Sequence, residues 1–173
     1  MKSSSIHPRT LRMAQCGLLC AVALIASALE QLIPALPMMP PGAKPGISNI
    51  AVLTATELLG PGATLAVIAV KALFALMTRG AMAFLMSLAG GLLSGGVMLL
   101  LLRLGCFGTV SIGIAGAAAH NLAQVGVASL LLTAGFRSYL PVVLLFGLFT
   151  GSLTGLLYGL LRPGLLRIRR RWC

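Results

Sequence analysis

The sequence predicts an all-α, polytopic membrane protein: six transmembrane helices in a compact bundle, with both termini cytoplasmic. Three observations carry this expectation. Of 173 residues, 58% are hydrophobic and only 9% are charged, against roughly 25% charge in a soluble domain. Apolar runs recur between short polar or Gly/Pro breaks, most of them near the roughly 20 helical residues needed to cross about 30 Å of hydrocarbon. Finally, the cations behind the net charge of +11 flank those runs instead of gathering on a soluble face. They read as topology signals and not as a nucleic-acid surface.

Residues 1–12 form a basic leader, 13–162 a single transmembrane domain and 163–173 a basic tail. The first apolar run is 13–33. A signal peptide competes for it, because Ala26-Ser27-Ala28 resembles a cleavage site, but the apolar run continues past that point and Glu30 follows. The Pro/Gly-rich outer loop at 34–46 comes next, within the longer break 34–49. It holds five of the nine prolines, each fixing φ and removing an N–H, so no helix runs through it. Unpaired backbone at membrane depth is tolerated only when exposed, packed in protein or lining a wet cavity. The loop is therefore an exposed connection or a lid, and Lys44 at its centre favours weighing the lid.

Residues 47–59 make a short, partly polar second segment. Gly60-Pro61-Gly62 is a turn signal, followed by 63–78 with Lys71 in its middle and Arg79-Gly80 at its close. Residues 82–102 are a plain apolar span with paired glycines. Residues 110–133 carry His120, Asn121 and Gln124, and 140–161 form the last span before Arg162-Pro163-Gly164. Keeping the short segment as a crossing places nine cations inside (Lys2, Arg9, Arg12, Arg103, Arg162, Arg167, Arg169, Arg170, Arg171) and three outside (Lys44, Arg79, Arg137). That satisfies the positive-inside bias.

Composition also excludes functions. Aspartate is absent and Glu30 and Glu57 are the only acids, which removes chemistry built on clustered carboxylates, including a magnesium-diphosphate site. No G-x-x-x-x-G-K-[ST] loop is present, so ATP-driven work falls to a partner. Cys16, Cys20, Cys106 and Cys173 lack the spacing of a metal set and read as small membrane-buried residues. No metal and no cofactor is expected.

The polar residues inside the apolar runs need an explanation. At about 1.5 Å per residue, Lys71 and His120 both lie roughly 15 Å into their spans, near the midplane. Gln124 lies one turn farther out, and Glu30, Gln31 and Asn49 lie near the outer boundary. Glu57 is near the inner end, about 10 Å in depth from Lys71 by the same rise, too far for a direct salt bridge. A lysine at a helix centre costs roughly 2.5–3.5 kcal/mol on insertion scales, so it faces a partner or a wet cavity. For His120, Asn121 and Gln124 the competing reading is interhelical hydrogen bonding that only fastens the bundle. Gly147, Gly151, Gly155 and Gly159 align on one helix face. They serve either internal packing or docking of a separate membrane subunit, as could Gly17 with Ala21 and Ala23 with Ser27.

The segments PPGAKPGISNI (40–50), LLGPGA (58–63), SLAGGLLSGGVM (87–98) and SIGIAGAAAHNLAQ (111–124) resemble the Gx transporter family, also labelled heptaprenyl diphosphate synthase component I. That family is similar to the substrate-binding S components of energy-coupling factor transporters. The resemblance implies a six-helix protein of the cell (cytoplasmic) membrane that captures a vitamin-like solute outside and works with a transmembrane coupling subunit and two ATPases. With the depths above, the expected substrate-binding residues are Lys44 and Asn49 at the lid and Lys71, His120, Asn121 and Gln124 lining the pocket. The small-residue faces expected to dock a partner are Gly17, Ala21, Ala23, Ser27, Gly147, Gly151, Gly155 and Gly159. S components carry an alanine-x-x-x-alanine motif in the first helix, to which Gly17-x-x-x-Ala21 and Ala23-x-x-x-Ser27 are approximations. Prenyl diphosphate synthases use aspartate-rich magnesium motifs, which this chain lacks. The expected protein is a non-enzymatic binding subunit for a small vitamin-like or isoprenoid-like solute. Its alternative is a membrane accessory or anchor subunit of a prenyl diphosphate synthase or electron-transfer complex.

Overall fold

Helix starts and stops follow the proline and glycine positions closely. A computed structural model describes residues 8–32, 46–131 and 140–172, with side chains over 9–32, 46–131 and 140–167. Lys44, most of the outer loop and Arg137 lie outside the described residues. The six helices are α1 (Pro8–Leu32), α2 (Asn49–Leu58), α3 (Pro61–Arg79), α4 (Ala81–Leu104), α5 (Thr109–Leu131) and α6 (Leu140–Trp172). Pro61 opens α3 at a position where its missing N–H costs nothing. Gly60 (φ 88°) and Gly80 (φ 86°) take the left-handed backbone that the two tight reversals around α3 require.

Five helices, α1 and α3 to α6, are long and apolar enough to cross a membrane. The segment 47–59, expected to be a full crossing, is the 10-residue α2. At about 1.5 Å per residue it spans ~15 Å, half the hydrocarbon thickness. Seven of its ten residues are buried (Asn49 and Ala51 to Thr56), and it packs against all five of the other helices. Thr54 and Thr56 donate to the carbonyls of Ile50 and Val52, each at 2.7 Å, and Thr64 of α3 donates to Thr56 at 3.1 Å. A polar helix is thereby satisfied inside an apolar bundle.

Two other boundaries differ from expectation. The basic leader is helical from Pro8, so Arg9 and Arg12 ride on α1. At the other end, Arg162-Pro163-Gly164 does not end the last span: α6 continues through Pro163 to Trp172, 33 residues in all. Pro163 is exposed at the end of the apolar stretch, where the carbonyl it leaves unpaired can meet water.

Close helix approach is achieved with small residues. A Cβ added to Gly155 would stand 2.6 Å from Val110 Cα and from the Thr109 carbonyl oxygen, and one on Gly151 2.7 Å from Ile114 Cα. The Gly147–Gly159 row thus faces α5 of the same chain, which corrects its assignment to docking a separate subunit. Gly91 and Gly95 receive Ile68 of α3, and Gly116 receives Met98 of α4. Among the described residues, helix α1 packs against α2 and α3, and presents Leu18, Val22, Ile25, Leu29 and Leu32 outward. That exterior suits lipid.

Gly155→Ala is expected to destabilise detergent-solubilised protein by about 1–3 kcal/mol through overpacking. Gly126→Ala, whose added methyl would meet nothing within 4 Å, is expected to be neutral or slightly stabilising; thermal unfolding of the two side by side checks the pair.

Candidate functional site

The half-length α2 begins next to the end of α1, and this sets where the polar residues meet. Ser48 precedes α2 without capping it through its own side chain. Its amide instead donates to Glu30 Oε1 at 2.7 Å and its hydroxyl to Glu30 Oε2 at 3.4 Å. One residue on, Asn49 Oδ1 accepts from Lys71 Nζ at 3.0 Å. Two turns below the end of α3, Lys71 is therefore paired across to α2 and not to Glu57. On α5, Gln124 Nε2 lies 3.0 Å from His120 Nε2. Which of the two donates is set by the imidazole tautomer. The imidazole lies flat against Gly90 of α4, where an added Cβ would come within 2.7 Å of Cε1 and Nδ1.

These side chains are buried: Glu30, Ser48, Asn49, Lys71, His120 and Gln124 are each at most 6% exposed. All but Asn49 line one cavity of about 20 Å³, together with Ser27, Arg79 and Ser87. That is space for about one water. On its lining, His120 Nδ1 and Gln124 Oε1 have no hydrogen-bond partner, and neither does Asn49 Nδ2 nearby, against Gly46. An unmade bond to a buried group costs about 1–3 kcal/mol, and a water held in the cavity could meet some of these atoms.

Residues 19–161 match the family model described as heptaprenyl diphosphate synthase component I. The chain belongs to this family. No curated protein and no solved structure matches it. The matched stretch of this component I chain runs from within α1 to within α6, and holds every residue of the cluster.

Of the residues singled out from sequence, Asn49, Lys71, His120 and Gln124 come together here, and Lys44 lies outside the described residues. Asn121 is turned away. Its amide donates to the Val143 carbonyl at 2.9 Å and sits over Gly147, because one step along a helix rotates the side chain by about 100°. It fastens α5 to α6 and does not line the cavity, as the interhelical reading anticipates. Ser27 does line the cavity and Ala23 is buried, whereas Gly17 and Ala21 face outward on α1. The docking row on α1 is therefore reduced to its outward pair.

Sequence reasoning left Glu30 and Ser48 out of the site. The available signal was that Glu30 is one of only two acids in the chain, set in an apolar run where a charge needs a partner. The other acid, Glu57, anchors the opposite end of α2. It accepts from Tyr158 Oη at 2.7 Å and from Arg162 Nε at 2.7 Å and Nη2 at 2.6 Å.

Gly90→Ala is expected to push His120 out of place and cost about 1–3 kcal/mol. Adding His120→Ala to that variant should return part of the loss, and a double-mutant cycle by thermal unfolding reads the coupling; strict additivity would contradict the contact.

Proposed function

We propose that this component I chain is the solute-binding membrane subunit, an S component, of an energy-coupling factor type importer. In this reading it lies in the cell membrane with both termini in the cytoplasm. It works with a transmembrane coupling subunit and two ATPase subunits, and it captures a small anionic solute, vitamin-like or isoprenoid-like, from outside. The observation that carries the reading is the convergence of Lys71, His120, Gln124 and Glu30 on one cavity, beside the Asn49 amide that holds Lys71, with His120 Nδ1 and Gln124 Oε1 unsatisfied. A cluster that only fastened helices would consume its own donors and acceptors, as Asn121 and Thr56 do. Intramembrane ionisable residues grouped in this way mark solute or ion pathways.

Topology supports the same orientation. Arg103, Arg162 and Arg167 lie at the end of the bundle away from the cluster, as cytoplasmic cations should. With room for about one water, the cavity is too small for such a solute, so capture requires a wall to move. The wall with the fewest neighbours is α1, which among the described residues packs against α2 and α3. On α1, the outward Gly17 and Ala21 offer a small-residue face to a coupling subunit.

The family's description supports a second reading, a non-catalytic accessory subunit of a prenyl diphosphate synthase. The two glutamates stand at opposite ends of α2, which leaves no carboxylate pair to hold a magnesium-diphosphate. A synthase role would therefore be that of an anchor.

Lys71→Ala and His120→Ala are each expected to lower solute uptake and retention at least tenfold, about 1.4 kcal/mol or more of binding. Tagged protein drawn from its native membrane should carry two ATPases and a coupling subunit. Unchanged uptake in both variants, or a soluble synthase in place of the ATPases, would decide for the accessory reading.

A further inference from the structure

Within the cluster, Glu30 is the side chain whose charge opposes an anionic solute, yet it sits where the solute's anion would go. Its carboxylate takes the Ser48 amide. The next three amides of α2, from Asn49, Ile50 and Ala51, are consumed by the carbonyls of Gly46, Ile47 and Ser48. Lys71 and Arg79 line the same cavity as Glu30. The start of a helix flanked by an ammonium and a guanidinium is an anion site by construction, and here the chain fills it from within.

The neighbouring neutral groups are left incomplete. Asn49 Nδ2 is an unused donor and Gln124 Oε1 an unused acceptor, on side chains 1% and 3% exposed. A carboxylate of the chain itself on the Ser48 amide, in a cavity that Lys71 and Arg79 also line and beside amide atoms with nothing to bind, describes a site occupied by its own side chain.

We infer that Glu30 is a displaceable stand-in for the carboxylate of the solute, and that the solute is a small monocarboxylate which also carries an N–H or O–H donor. This rests on the solute-site reading above. The incoming carboxylate takes the Ser48 amide and Lys71 Nζ, with Asn49 Nδ2 as a further donor, and the solute's own donor reaches Gln124 Oε1. Glu30 turns toward the exposed end of α1 at Gln31 and Leu32. A single planar charge replaces a single planar charge. A phosphate or diphosphate would bring additional negative charge into a space whose cations already share one carboxylate.

The test uses the full chain in detergent, with acetate, glycolate and inorganic phosphate as probes read by calorimetric titration and by thermal stabilisation. Glu30→Gln keeps an oxygen for the Ser48 amide but removes the charge. It should bind acetate about tenfold more tightly than the parent protein, the order expected when one like charge is removed at close range. Glycolate, which adds a hydroxyl donor, should bind more tightly than acetate, and Lys71→Ala should bind neither. Glu30→Asp, which keeps the charge, should stay near the parent protein. A Gln variant no tighter than the parent, an Asp variant as tight as the Gln variant, or phosphate outcompeting acetate would overturn the proposal. If Lys71→Ala loses acetate while Glu30→Gln is unchanged, the stand-in role fails and the solute site survives. If no probe binds the parent protein or any variant, the solute site itself fails.

Discussion

A helix too short to cross a bilayer can be held at the centre of a membrane bundle only if the polar groups at its ends are met within the fold. In hydrocarbon no water completes an unpaired amide or carboxylate, so each group must find a partner in the fold. Helix α2 meets this condition at its start through the Glu30 carboxylate on the Ser48 amide, and at its close through Tyr158 and Arg162 on Glu57. The only two acids in the chain thus hold the two ends of one helix. Between them, threonines turn back on their own turn of backbone, and the apolar positions Val52, Leu53 and Ala55 are completely enclosed.

The long helices close around that element in an order set by side-chain size. Gly113 meets the Gly151–Gly155 stretch with scarcely an atom between the two backbones, so α5 and α6 form the tightest pair and Asn121 adds a hydrogen bond at their upper end. Glycines on α4 admit Ile68 from one side and His120 from the other. The bundle from α3 to α6 is consequently rigid where it carries Lys71, His120 and Gln124. Helix α1 stands against it with Glu30 tied to the Ser48 amide, so the wall proposed to move also supplies a carboxylate that lines the cavity.

That arrangement links binding to conformation in a simple way. A solute that takes over the Ser48 amide competes with the contact holding α1 to the start of α2. The far end of α2 is gripped near the cationic end of the bundle by the Glu57 pair, and α2 touches every other helix. A change at the upper end therefore has a packed route to the face where energising partners are proposed to act.

Much of this was legible in the residues. Apolar runs and their glycine and proline punctuation determined the helices and most of their limits, because backbone in hydrocarbon has few alternatives to helix. The depth of Lys71 and His120 followed from rise per residue alone, which is why their meeting could be anticipated. Three matters were decided by tertiary structure. Azimuth separated Asn121 from His120, since neighbours on a helix face different partners. The identity of the surface opposite the Gly147–Gly159 row was settled by which helix lies there, a fact that a small-residue period does not contain. And the pairing of Glu30 with Ser48 needed the start of α2 to be folded back beside the end of α1, a juxtaposition across 18 positions of chain that no local pattern encodes.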